Sequence, residues 1–199
     1  MLFVLPLVVY LFFASGVNNF AKLPIVTNTV VDVAEFSDEQ FKDKITILGF
    51  LGNDVSQKKG NALNLNQKIY KRFHGFEDFQ FLMVQPQGTE EECNQLVDEL
   101  SRSTQVDARG WKFVFLDPLQ IQLVFDRLNT PLSLDETLGS PYVFIIDKGV
   151  ALRGRDDNDN VGYDARSVAD IHNNMLDDVK VILAEYRLAL KKYNTDRKI

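Results

Sequence analysis

Short apolar segments alternate with amphipathic ones along most of the chain, and the two patterns predict strands and helices in turn. Val30–Phe36 shows partial two-residue alternation, which suggests an early strand. Mostly apolar runs predict further strands, which we place at Lys44–Phe50, Phe79–Val84, Trp111–Leu116, Tyr142–Asp147 and Ala151–Arg155. The last two would form a hairpin around Lys148-Gly149.

Helices are predicted between and after these strands. Apolar residues at helical spacing place them over about Asn61–Phe73, from Thr89 onward, over about Pro118–Leu128 and over about Arg166–Tyr193. Thr89 and Glu92 have the spacing of a capping box, and Pro118 suits a first helical position. Strands that alternate with helices and end in a hairpin plus helix predict an α/β sandwich with a central mixed sheet flanked by helices.

The N-terminus suggests a membrane location. Leu2–Ala14 carries no charge, and extending it through Val17 gives about the ~17–20 residues needed to cross a bilayer. We therefore expect residues 1–17 to be a membrane anchor or signal segment, 18–29 a tether and 30–199 the folded domain. No basic residue precedes the apolar stretch, so we favour a retained transmembrane anchor, with the domain on the extracytoplasmic (periplasmic) side. The small residues Ala14-Ser15-Gly16 keep cleavage and secretion open as the alternative.

Composition narrows the chemistry. The net charge of −6 argues against nucleic acid as a partner, because phosphate binding requires a basic face. The single cysteine, Cys93, excludes an internal disulfide and a multi-cysteine metal site. No nucleotide-binding, hydrolase or metalloprotease motif is present.

Several motifs in order resemble the Sco/SenC family, the membrane-anchored copper chaperones of cytochrome oxidase assembly. The matching pieces are SGVNNFAKLP (15–24), ITILGFLGND (45–54), FLMVQPQGTEEECNQLVDEL (81–100), WKFVF (111–115) and FIIDKGVALRGR (144–155). The resemblance implies a thioredoxin-like sandwich. It also implies that Gly139-Ser140-Pro141, just before an apolar strand, is the turn in which that fold places a cis-proline facing the active site.

The chain departs from the family at the positions that bind metal. Where the family has Cys-x-x-x-Cys, this chain has NDVSQK over Asn53–Lys58, and the family's histidine is missing from 138–141 (LGSP). The family's Val-Asp-Pro is replaced by Val84-Gln85-Pro86. Since Cu(I) prefers sulfur ligands, we expect neither redox nor copper chemistry of the family's kind, no cofactor and no enzymatic activity.

Other candidate groups have simpler explanations. Cys93 follows three glutamates and lies on an apolar helical stripe with Leu96, Val97 and Leu100, as a core residue would. His74 follows a predicted helix end, where a cation complements the helix dipole, and His172 is expected to face solvent or to be a capped side chain.

The acidic loop Asp156–Asp164 begins with the alternate-position spacing of an EF-hand. It lacks the glycine and glutamate that such a calcium loop requires. A weaker calcium site stays open there, beside the simpler interpretation of an exposed acidic loop.

Two functions remain. The first is a membrane-tethered, non-redox binding or assembly module for a protein partner, and the resemblance implies a link to the respiratory oxidase. Its binding face would comprise Asn53, Asp54, Val55, Ser56, Gln57, Lys58, Ser140 and Pro141.

The alternative is a metal chaperone or thiol oxidoreductase that uses Cys93 or unrecognised ligands.

Overall fold

The computed structural model describes residues 22–155 and 161–196. The predicted anchor, residues 18–21 of the predicted tether and residues 156–160 of the acidic loop lie outside them. No helix among the described residues is long and apolar enough to cross a membrane.

The described strands form one mixed sheet in the order β1-β6-β5-β2-β3-β4, with β7 paired to β5. Their bounds are Ile25–Thr27 (β1), Ile45–Phe50 (β2), Phe79–Pro86 (β3), Trp111–Leu116 (β4), Tyr142–Ile146 (β5), Leu152–Arg153 (β6) and Tyr163–Asp164 (β7). β2, β3 and β4 are parallel, whereas β5 is antiparallel to both β2 and β6. The parallel strands therefore end at one edge of the sheet, and the helices that follow them begin there.

The α-helices cover both faces of this sheet. They span Val55–Leu65 (α1), Lys71–Phe73 (α2), Glu90–Thr104 (α3), Pro118–Asp126 (α4), Val168–Asp170 (α5) and Leu176–Asp196 (α6). A π-helical turn, Asn66–Tyr70, joins α1 to α2, and a second, Ile171–Met175, joins α5 to α6. The α/β sandwich with a mixed sheet is the fold class that the sequence predicts.

Alternating side chains of the central strands fill two hydrophobic cores. In β2, Ile45 and Ile47 pack on the face covered by α1, α3 and α6, while Leu48 and Phe50 pack on the α4 face. All six residues of β2 are buried, as expected of a central strand covered on both sides. Cys93, Leu96 and Leu100 lie in the first core, as the apolar stripe predicts.

Four local predictions are wrong. Val30–Phe36 forms no strand; a 3-10 turn spans Val33–Glu35, because the Asp32 carboxylate caps it at the backbone N–H of Ala34. Within the predicted tether, Ile25–Thr27 forms β1 and pairs with β6, so these residues belong to the sheet.

The other two errors concern helix ends. The hydroxyl of Thr89 donates to the carbonyl of Pro86, and it does not cap α3, so the predicted capping box does not form. Val168, predicted on the buried stripe of the last helix, is 43% exposed.

Arg153 is a buried cation that ties three parts of the chain together. Its guanidinium donates to the carbonyl of Leu23 (2.9 Å), to Asp147 (2.8 Å) and to Glu185 on α6 (2.8 Å). The side chains of Arg153 and Asp147 are only 5% and 6% exposed. Because a buried ion is tolerated only with such partners, this cluster fixes the N-terminal segment and α6 against the β5–β6 hairpin.

We expect Arg153→Met to lower the free energy of unfolding by about 3–5 kcal/mol, because it leaves the Asp147 carboxylate buried without its cation. Urea unfolding of the full chain in mild detergent measures this. Arg109→Met is the matched control: the ion pair of Arg109 with Asp107 is exposed, so its loss should cost less than about 1 kcal/mol. Equal effects of the two substitutions would show that the buried cluster has no special role.

Candidate functional site

The two segments that the sequence assigns to one binding face meet at the end of β2. The backbone N–H of Asn53 donates to the carbonyl of Thr137 (2.7 Å), and that of Ser140 donates to the carbonyl of Phe50 (2.8 Å). Leu51 and Gly139 form an isolated antiparallel bridge between them. The loop before β5 therefore lies directly against the β2–α1 junction.

Asp54 starts α1, earlier than the apolar pattern suggests. Its carboxylate accepts from the backbone N–H of Gln57 (3.1 Å) and from the hydroxyl of Ser56 (2.9 Å). These hydrogen bonds, the backbone one foremost, lower the pKa of Asp54. A capping aspartate needs no hydrophobic neighbour, so helical periodicity could not locate this helix start.

Six of the eight residues of the predicted binding face are at least partly exposed to solvent, and two are buried. Asn53, Ser56 and Gln57 are exposed, and Asp54, Lys58 and Pro141 are partly exposed. Val55 and Ser140 are 2% and 4% exposed. Val55 packs in the core and Ser140 is buried, so neither offers a surface to a partner. The junction face consists of the remaining residues, Asn53, Asp54, Ser56, Gln57, Lys58 and Pro141.

Lys58 makes the principal charged contact at the junction. Its ammonium donates to Asp135 (2.8 Å) and to the hydroxyl of Thr137 (3.3 Å). The other carboxylate oxygen of Asp135 accepts from the backbone N–H groups of Thr137 and Gly139. Burial would raise the pKa of Asp135, but the hydrogen bonds from Lys58, Thr137 and Gly139 outweigh it and lower the pKa to about 2.

Two glycines permit this close approach. Gly52 has φ +75°, and a Cβ there would lie 2.5 Å from the carbonyl oxygen of Thr137. A Cβ on Gly139 would collide with the ammonium of Lys58 and lie 2.9 Å from the carbonyl oxygen of Leu51. The junction therefore requires glycine at both positions.

The expected cis-proline is absent. No peptide bond in the described part of the chain is cis, so the Ser140–Pro141 bond is trans. The loop instead turns at Leu138, which has φ +63°, and the backbone N–H of Leu138 donates to the carbonyl of Asp135. Hydrogen bonding to Asp135 shapes this loop.

The side chain of Gln85 links Cys93 to the junction by hydrogen bonds. The fully buried Gln85 accepts from the backbone N–H of Leu51 (3.0 Å) and donates to the sulfur of Cys93 (3.5 Å). Burial raises the pKa of the Cys93 thiol, and the charges of Glu92 and Glu90 add to this, against opposing hydrogen bonds from Gln85 and Thr89. A 1% exposed thiol with a raised pKa is poorly suited to nucleophilic or metal chemistry.

Metal-ligating side chains form no cluster in the described part of the chain. No group of three or more histidine, cysteine, aspartate or glutamate side chains there is placed to hold a metal ion. A ring nitrogen of His74 lies 3.1 Å from the carbonyl of Lys71 at a helix end, and His172 is exposed.

Comparison with known proteins places the fold. No family model matches the chain, and neither does any curated protein. A solved candidate protein disulfide isomerase from Bacteroides thetaiotaomicron is 9% identical, with a TM-score of 0.50 over 82% of this chain and 95% of that one. BsSco, described as a member of the Sco family of cytochrome c oxidase assembly proteins, is also 9% identical, with a TM-score of 0.50 over 80% and 94%.

The fold is thioredoxin-like. The fold that the sequence resemblance implies is thus confirmed, and Sco-family proteins are among the structural neighbours of the chain. At 9% identity the likeness establishes the fold and not an activity.

The sequence did not reveal Asp135 and Thr137 as partners of Lys58. They lie 77 and 79 residues away from it in the chain. A local signal was present, because an aspartate two residues before a threonine and four before a glycine suits a side-chain-capped turn.

The lowered pKa of Asp135 predicts a defined pH dependence. The stabilisation by the Asp135 carboxylate should be complete above its ordinary pKa of 3.8 and decline as the pH falls to about 2. We therefore expect the stability difference between the wild type and Asp135→Asn to shrink across this interval. Urea unfolding of both proteins at several pH values measures the difference. A difference that stays constant from pH 5 to pH 2 would contradict the assignment.

Proposed function

We propose that this protein is a membrane-tethered, non-redox binding or assembly module on a Sco-like scaffold, a divergent relative of that family. Its protein partner would contact the junction face. Residues 1–17 would hold the domain on the extracytoplasmic side of the membrane. Assembly of a respiratory oxidase is the first process to test, because BsSco is described as belonging to a family of oxidase assembly proteins.

The ion pair between Lys58 and Asp135 is the observation that carries the proposal. It joins the loop before β5 to α1 at the position where the resemblance places the family's metal ligands. The Lys58 side chain is 14% exposed and hydrogen-bonded twice, so its position is fixed before any partner arrives. A surface of fixed shape loses little conformational entropy on binding, which favours a recognition role.

The composition of the junction face supports a protein as partner. Asn53, Ser56 and Gln57 present an exposed amide, hydroxyl and amide beside the partly exposed charge of Asp54. Such neutral and charged hydrogen-bonding groups suit the polar part of a protein interface. They provide neither a thiol nor an imidazole for copper.

A copper titration tests the non-redox part of the proposal. We expect the full chain in detergent to leave Cu(I) with a chromogenic bathocuproine chelator, because its one thiol is buried. Asn53→Cys/Gln57→Cys is the positive control, since it introduces two thiols four residues apart in the exposed part of the junction. Tight, stoichiometric Cu(I) binding by the wild type would overturn this part and restore the metal-chaperone alternative.

Site-specific photocrosslinking tests the binding part. A benzophenone amino acid at Gln57 should give a discrete protein adduct in native membranes of the source cell, because Gln57 lies on the junction face. Gln122 is the matched control, an exposed glutamine on α4, which covers the opposite face of the sheet. Asp54→Asn should lower the adduct yield, since it removes the charge while asparagine still caps α1.

The pattern of adducts decides the outcome. The same adducts from Gln57 and Gln122, or none from Gln57, would contradict the junction face as the binding surface. Identification of the Gln57 adduct by mass spectrometry then tests the oxidase link. An oxidase subunit or assembly factor supports that link, and any other protein removes it.

A further inference from the structure

A small cleft lies between α1 and α3, next to the junction face. Its volume is about 100 Å³. The buried side chains of Val55 and Leu96 form its apolar base, and its polar lining consists of Ser56, Lys59, Glu92, Gln95 and Glu99. Pockets for cofactors and drug-sized ligands measure roughly 300–1,000 Å³, so this cleft suits one long side chain and not a cofactor.

The charges around the cleft favour a cation. Among the described residues that line it, Lys59 is the only cation, and it is already bound to Glu99 at 2.5 Å. Within the described part of the chain Glu92 makes no ion pair, and this lining residue is exposed. The cleft therefore has a net negative charge, with the amide and hydroxyl oxygens of Gln95 and Ser56 as additional acceptors.

We infer that this cleft receives an arginine side chain from the protein partner, an inference that rests on the proposed function. The aliphatic stem would cover Val55 and Leu96, and the guanidinium would reach the carboxylate of Glu92. Arginine fits better than lysine because its planar group donates in several directions, to a carboxylate and to neutral oxygens together. Ser56 belongs to both the cleft and the junction face, so one partner surface can contact both.

The probe for this site is Nα-acetyl-arginine amide, titrated into the isotope-labelled full chain in detergent. We expect saturable NMR shift changes at the side-chain amide of Gln95 and the backbone amide of Leu96. Nα-acetyl-citrulline amide has nearly the same shape without the charge, and it should produce no comparable changes. Glu92→Gln should weaken the binding of the arginine probe about two- to fivefold, the effect of one exposed ion pair.

Glu90→Gln is the matched control. Glu90 is an exposed glutamate of the same helix turn and does not line the cleft, so this variant removes the same charge from a neighbouring position. Its binding of the probe should equal that of the wild type. Equal weakening by both variants, or equal binding of the citrulline probe, would overturn the inference.

The crosslinking experiment separates this inference from the proposed function. If the Gln57 adduct persists undiminished in Glu92→Gln, the cleft does not engage the partner, while the junction face does. If the arginine probe binds the cleft but Gln57 gives no adduct, the cleft accepts a cation and the proposed partner surface is wrong.

Discussion

The central constraint of this structure is that β2 is buried on both faces and hydrogen-bonded along both edges. Helices on each side must cover it, and β3 and β5 must pair with it in opposite directions. The space beside Gly49 is also filled, because a Cβ there would lie 2.7 Å from the sulfur of Met83 and 3.3 Å from Cγ1 of Val143. The chain leaves β2 at the junction face, so the packing that stabilises the sheet also positions the candidate site.

Elements set by a local apolar pattern could be predicted from the sequence, and elements set by single hydrogen bonds or by distant pairing could not. The central strands were predictable because burial on both faces selects apolar runs such as ITILGF and FQFLMV. The start of α1 and the turn at Val33 were missed because single aspartates set them through backbone hydrogen bonds. β1 escaped because it has three residues and owes its place to pairing with β6, which lies more than a hundred residues away.

The candidate site could likewise be predicted only in part. The resemblance brought two distant segments to one face, and the structure brings them into contact. It did not indicate that Val55 and Ser140 would be buried, because Val55 is the one apolar residue of a polar stretch and Ser140 is itself polar. Nor could it supply Asp135, whose role depends on the position of Lys58 in space.

The two hydrogen bonds of the Gln85 amide limit which side chains this position can hold. The fully buried Gln85 side chain accepts a hydrogen bond from the backbone N–H of Leu51 and donates one to the sulfur of Cys93. A carboxylate at this position could not donate to the sulfur, and a buried ion without a cation carries a large desolvation cost. An aspartate at position 85 would therefore require changes around Cys93 first. Substitutions at positions 85 and 93 are therefore coupled, because a change at either one removes the hydrogen bond that the other now makes.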